Sequence, residues 1–347
     1  MEGRRATGRL RCLLRRSVTV PLLLVSLPAA AALLLVALVC QLPLLLLGRR
    51  RARPVRLAAL LLLYVLADLG GLLAATVNWL RCLGRARGAE RRAELDHRLL
   101  GRLLRIVHGA GARLFDLRLR VRPDPAGGGS TGGAGPGGPL IVLARHAGPG
   151  DSFLLVDQLL SAAGYRPRIV LKQRLRLDPT LDVLLGRLPS CFVPPGGGET
   201  DATVARITEL AAGLRDGDAL VIFPEGGNFT QRRRQRAIRR LRRRGERARV
   251  AHAERDHHVL PPRMAGTLAA LAAAPTADVV FVAHTGLDGM DSIGTVWRGL
   301  PLTRPVRARW WRVPARAVPT GRQAREAWLL AHWDRVDAWV ALNRAAG

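Results

Sequence analysis

The sequence has four cysteines, Cys12, Cys40, Cys82 and Cys191, none of them in a CxxC pair. That scatter argues against a zinc site or a disulfide framework and fits a reducing compartment. Lysine is almost missing: Lys172 stands alone against a combined Lys and Arg count of 55. Codon bias toward arginine would produce this, which makes the surviving lysine worth following. Glycine signatures for nucleotide phosphates are missing too. The Gly-rich stretch 126–138, with Ser130, Thr131 and Pro136, matches neither a P-loop nor a dinucleotide fingerprint and reads as a flexible spacer. No RNA- or DNA-binding signature accompanies the arginines, so nucleic acid is not an expected partner. His252, Glu254, Asp256, His257 and His258 lack zincin spacing; they read as loop residues, and no metal is expected.

What is present is charge and grease. The net charge of +29 suggests an anionic partner such as a lipid headgroup or a phosphorylated ligand, and 48% hydrophobic residues are ample for a core. Much of the apolar sequence lies early, from Ser17 to Leu47 and again from Leu57 to Leu80. As one helix the first run would be about 46 Å long, against roughly 30 Å of hydrocarbon. It must tilt, kink or break, and Pro21, Pro28 and Pro43 offer places to do so. Asp68 and Asn78 in the second run are costly in lipid unless they face protein or water. The early arginines, Arg4 to Arg16, also suit a signal peptide with a cleavage site near Ala29–Ala32. The apolar sequence continues too far past that point, which favours an anchor. Arg49, Arg50, Arg51, Arg53 and Arg56 fill the loop between the runs, and arginine flanks both outer ends, so charge does not choose a topology. Two spans and a re-entrant hairpin remain open. Either leaves residues 1–88 as a membrane anchor and residues 89–347 on the cytoplasmic side.

Beyond the anchor, Ala89 to Phe115 has helical periodicity and Leu117 to Val121 alternates like an edge strand. Strands are expected at 140–144, 168–171, 191–193, 219–223, 278–284 and 306–313. Helices are expected at 151–163, 178–186, 201–214, 263–273 and 323–343, with a basic helix inside 232–249. This alternation predicts an α/β fold with a mixed, largely buried sheet flanked by helices. Trp328, Trp333 and Trp339 stripe the last helix and read first as core.

Two motifs carry chemistry. The strand 140–144 would deliver His146 at its C-terminal end, with Asp151 five residues on. A carboxylate on one imidazole nitrogen fixes the tautomer, and the other nitrogen can take a proton from an alcohol. Read alone, the spacing favours a plain helix N-cap at Asp151 and a polar loop residue at His146. His332 and Asp337 share the spacing, but inside a helix five residues put them on different faces. Phe223-Pro224-Glu225-Gly226 then follows the strand 219–223. It offers a carboxylate at a strand end, and the amides of Gly226 and Gly227 offer an anion-binding nest.

Together these blocks resemble the PlsC-type glycerolipid acyltransferases, which carry His-x4-Asp first and Phe-Pro-Glu-Gly third. Lys172, Pro179 and Phe192-Val193 fit the second block, and His258 to Arg263 fit a fourth, over roughly 140–284. Two departures stand out: Arg145 where the family has Asn, and Gly226-Gly227-Asn228-Phe229 where it has Gly-Thr-Arg-Ser. The resemblance implies a glycerolipid acyltransferase-like fold behind an N-terminal membrane helix hairpin. It implies that His146 deprotonates the free hydroxyl of a lysophospholipid while Asp151 holds the imidazole, and that the alkoxide attacks an acyl-CoA or acyl-ACP thioester. 1-Acyl-sn-glycerol-3-phosphate going to phosphatidic acid is the first candidate reaction. Glu225, Gly226, Gly227, Lys172, Arg263 and Arg145 would bind substrate, with no bound cofactor or metal. Another lysolipid or glycolipid acceptor, a thioesterase, and a non-catalytic arginine-rich protein of the membrane surface are the rival readings.

Overall fold

A computed structural model of the chain describes residues 2–45, 52–123, 137–148, 150–194, 200–290 and 293–345. Pro149, Arg49 to Arg51, the end of the first apolar run and all but the last two residues of the Gly-rich spacer lie outside that set. The chain forms two compact units, Met1–Asp116 with Gln173–Leu188, and Leu117–Lys172 with Pro189–Gly347.

In the first unit, α1 (Glu2–Leu45) and α2 (Arg53–Cys82) pack as a hairpin, with α3 (Gly88–Phe115) along α2 and α5 (Pro179–Arg187) against them. The stretches Leu10–Gln41 and Arg53–Cys82 are long and apolar enough to cross a membrane. Of the three options of tilt, kink or break, a break is not taken, and α1 runs through Pro21 and Pro28. Each proline forfeits one backbone hydrogen bond, and the packing of Leu23, Leu27 and Ala30 on Leu62, Val65 and Leu69 holds the helix across that stretch. The costly polar groups of α2 do face protein. Asp68 accepts from the Thr180 amide at 3.0 Å, and Asn78 donates to Asp96 at 3.1 Å. The helix α3, placed by sequence with the catalytic part, belongs to this first unit.

The second unit is built on a seven-stranded sheet of order β1-β7-β6-β2-β5-β3-β4. The strands are β1 (Leu119–Pro123), β2 (Leu140–Ala144), β3 (Arg166–Lys172), β4 (Ser190–Val193), β5 (Asp218–Ile222), β6 (Asp278–Thr285) and β7 (Val306–Val313). All neighbours are parallel except β6 and β7. The helices of this unit are α4 (Asp151–Asp157, continued by a π turn to Ala162), α6 (Asp201–Ala212), α7 (Gln231–Arg243), α8 (Arg247–Arg255), α9 (Met264–Ala273), α10 (Ile293–Gly299) and α11 (Arg322–Ala345). Alternation sorts each central strand. Ile141, Leu143, Val279 and Phe281 enter a core with α6, α9 and α11, where Trp333 is fully buried. Leu140, Val142, Val280 and Val282 face the opposite side and line a cavity under α4.

The basic segment departs from the expected single helix. It breaks at Gly245, whose φ of +70° suits glycine, into α7 and α8. Residues expected in a loop, His252 and Glu254, therefore stand on α8. Trp328 and Trp339 pack against the core as predicted.

Candidate active site

Four adjacent parallel strands, β6, β2, β5 and β3, end on one edge of the sheet. At or just beyond those ends stand His284, His146, Glu225 and Lys172. Crevices at the carboxyl ends of parallel strands are the usual ligand sites of α/β sheets. Neighbouring strands lie about 4.8 Å apart, so the row spans a few strand widths.

His146 is held from several sides. Its Nδ1 lies 3.0 and 2.9 Å from the two oxygens of Asp151. Its own amide donates to Glu225 Oε1 at 2.9 Å, and its carbonyl accepts from the Phe229 amide at 2.7 Å. The Phe223 ring packs on the imidazole with centroids 4.8 Å apart. The loop after β5 thus clasps the histidine that follows β2.

Asp151 does more than cap a helix. The N-cap of α4 is Gly150, and Asp151 is the first helical residue. Its carboxylate accepts from the Ala147 amide at 2.8 Å, the Gly148 amide at 3.2 Å and the Ser152 amide at 2.6 Å. The close approach at Gly148 requires glycine, since a Cβ there would lie 2.3 Å from the Leu287 carbonyl oxygen. Burial would raise the Asp151 carboxyl, but the hydrogen bond and charge of His146 outweigh it and hold the group down at about 2. The acid therefore stays ionised beside the imidazole.

Glu225 is buried with both oxygens occupied, Oε1 by the His146 amide and Oε2 by the Leu260 amide at 3.0 Å. Burial is the main influence and pushes its carboxyl up to about 8, against the opposing charge of Arg145 and the two amides. It ties three loops together while lining a basic pocket. That pocket, about 310 Å³, is shared by Lys172, Gly226, Gly227, Arg263 and three arginines of α7. Gly226 has φ +67°, and a Cβ on it would meet Arg263 Nε at 2.4 Å, so the guanidinium rests directly on the glycine. The expected nest is only partly there, because the Gly226 amide donates to the Phe223 carbonyl at 3.0 Å.

Arg145 needs a correction. Grouped by sequence with substrate-binding residues, it is fully buried, with its guanidinium directed into protein. It donates to the His258 carbonyl at 3.1 and 2.8 Å, to the His284 carbonyl at 2.7 Å and to Asp288 at 2.5 Å. Its role is to lock three loops behind the site. Sequence reasoning also passed over His284. Its Nε2 lies 2.8 Å from the Arg145 carbonyl and 3.6 Å from Asp151 Oδ2, and burial pushes its imidazole below the ordinary histidine value. The signal was available, since an imidazole ends a buried strand there as it follows one at His146. The discarded pair stays discarded: His332 accepts from Trp311 Nε1 and Asp337 from the His258 amide.

Asp151 and His284 border the cavity under α4. It measures about 250 Å³ and is otherwise walled largely by apolar groups including Leu119, Leu155, Leu159 and Trp310. An ionised acid and a histidine fixed by it stand at the sheet edge, the acid bordering an apolar cavity on one sheet face and a glutamate of a cationic pocket holding the histidine backbone.

Residues 128–265 match the protein-family model Acyltransferase. Comparisons with curated proteins and with solved structures return no match. The acyltransferase match takes in His146, Asp151, Lys172, Glu225, Gly226, Gly227, Arg263 and Arg145; His284 and β7 lie outside it. Among the described residues no group of three or more His, Cys, Asp or Glu could hold a metal ion.

Proposed function

We propose that this chain is a membrane-bound O-acyltransferase that moves an acyl group from an acyl thioester to the free hydroxyl of a lysophospholipid. The preferred acceptor is 1-acyl-sn-glycerol-3-phosphate, and the product phosphatidic acid. The observation that carries the reading is the His146–Asp151 pair, its acid lining an apolar cavity and its histidine amide held by Glu225 of a cationic pocket. An acyl chain fits the cavity and a phosphorylated glycerol the pocket. The family match supplies the reaction class.

In the reaction, Asp151 keeps the proton of His146 on Nδ1 and leaves Nε2 as the base. Nε2 takes the acceptor's hydroxyl proton as the oxygen attacks the thioester carbonyl. The tetrahedral intermediate collapses, the C–S bond breaks, and the imidazolium returns its proton to the departing thiolate. General-base assistance of this kind is worth ~10²–10⁴ in rate. Lys172 and Arg263 hold the acceptor phosphate, the guanidinium suiting bidentate contact. Glu225 acts by holding the His146 and Leu260 backbone in register. The two long apolar helices supply the membrane attachment, with the site facing the cytoplasm where a charged thioester donor is available.

The test uses full-length protein in detergent with radiolabelled acyl-CoA and acyl-ACP and a panel of lysolipids. Transfer to lysophosphatidate, abolished by His146→Ala in a protein that still melts cooperatively, is expected. Equal transfer by the variant removes His146 as base. Release of free fatty acid independent of any lysolipid makes the protein a thioesterase.

A further inference from the structure

The cationic pocket is longer than one phosphate requires. Arg233, Arg236 and Arg240 line it from α7, and spacings of three and four set them on one helix face. From Arg233 to Arg240 the helix rises about 10 Å. Arg263 rests on Gly226 and Arg233 approaches Gly227, so Arg240 lies farthest along the row, and Lys172 lines the same pocket. Two other arginines of α7 are engaged with protein. Arg234 is buried and donates to the carbonyls of Asp256, Ala253 and Glu254, and Arg242 pairs with Glu254. Arg233 flanks Gly227 and donates to the Asn228 carbonyl at 3.0 Å. Glu225 is the one acid lining the pocket among the described residues, and its oxygens are turned to two backbone amides. The wall along Arg236 and Arg240 is therefore cationic with no acid facing it.

We propose that this pocket has two anion positions. Lys172 and Arg263 take the acceptor's phosphate, and Arg236 and Arg240 take a second phosphorylated group carried by the substrates. This rests on the acyl-transfer reading and narrows it. Two sources offer the same chemistry: the nucleotide phosphates of a coenzyme A thioester, or a further phosphate on the acceptor's headgroup. In the first case the donor is coenzyme A-linked, and the arginines explain how the enzyme grips the end of the donor remote from its thioester.

The experiment measures equilibrium binding to the detergent-purified full chain, without turnover. The probes are free coenzyme A, lysophosphatidate, and a lysolipid whose headgroup bears an additional phosphate. Arg236→Gln/Arg240→Gln is compared with Arg239→Gln/Arg243→Gln, which removes the same charge from exposed positions outside the pocket. Losing two charge-assisted contacts weakens the occupant of the second position by about tenfold or more. A loss confined to coenzyme A, with lysophosphatidate within about twofold, assigns the position to the donor. A loss confined to the extra-phosphate lysolipid assigns it to the acceptor. Equal effects of the two double variants on every probe overturn the proposal, leaving only general charge attraction. Because binding needs no chemistry, a protein that never transfers acyl groups still reports on this site. Conversely, acyl transfer with unchanged coenzyme A and lysolipid binding rejects the second position alone.

Discussion

Replacing Asp151 with asparagine separates the electrostatic part of the site from its geometry. The side chain keeps its shape, but one oxygen becomes an amide nitrogen that cannot accept. Oδ2 serves the Ala147 and Gly148 amides, whereas Oδ1 serves the Ser152 amide and hydroxyl. Asparagine therefore keeps its carbonyl at the Oδ2 position, where it still receives the His146 Nδ1 proton. One partly buried amide, that of Ser152, is left unpaired, which costs about 1 kcal/mol of stability. The larger loss is in catalysis. With the two charge centres ~4 Å apart at an effective dielectric of ~20, the carboxylate stabilises the imidazolium formed during proton transfer by about 4 kcal/mol. Removing that attraction lowers kcat by roughly a thousandfold, with the KM values for donor and acceptor little changed. Initial rates of labelled transfer at saturating substrate read the catalytic loss, and urea denaturation reads the stability loss. In the His146→Ala background Asp151→Asn should cost almost nothing further, because the two act as a unit. A kcat within tenfold of the parent, in a variant showing the expected stability loss, would refute the dyad and leave Asp151 as a loop staple.

The remaining expectations concern the groups behind the dyad and the walls beside it. Glu225→Gln leaves either the His146 or the Leu260 amide without an acceptor and should cost about 1–3 kcal/mol by urea denaturation. Its titration has an unusual sign. The carboxyl is raised from 4.5 to about 8, so its contribution is full below the unfolded value and is lost as pH rises through about 8. The parent protein's stability should fall over that window, and the Gln variant should show a flatter profile; parallel profiles would contradict the assignment. Arg145→Met strips Asp288 of its partner at 2.5 Å in a buried setting, a loss of about 3–5 kcal/mol, and an unchanged denaturation midpoint would rule out its locking role. Leu159→Trp fills the apolar cavity at its α4 wall. The preferred acyl donor should shift to shorter chains in a chain-length panel, and an unaltered profile would place the acyl chain elsewhere.

How much of this was legible from sequence depends on whether the signal was local. The strands 140–144 and 306–313 are seen with the same limits as expected, because the first is a short apolar run before a turn and the second is Val- and Trp-bearing sequence bounded by Pro305 and Pro314. The basic region was not resolved into α7 and α8, since arginine occupies nearly every face and erases the helical period; the break depends on one glycine in the left-handed region. Arg145 and His284 teach more. The resemblance groups Arg145 with the substrate-binding residues, yet adjacent residues leaving a strand face opposite ways. Ile141 and Leu143 point into the core and Leu140 and Val142 toward the cavity. The β2–β6 ladder continues one step, with the Arg145 amide donating to Val282. Position 145 therefore follows 141 and 143 inward. The same parity sends His284, after Val280 and Val282, to the cavity side, where Asp151 stands. What parity cannot supply is that β6 lies beside β2 rather than elsewhere in the sheet. That long-range pairing brings the second imidazole within 3.6 Å of the acid. Residue direction was thus written locally, while residue neighbourhood required the strand order.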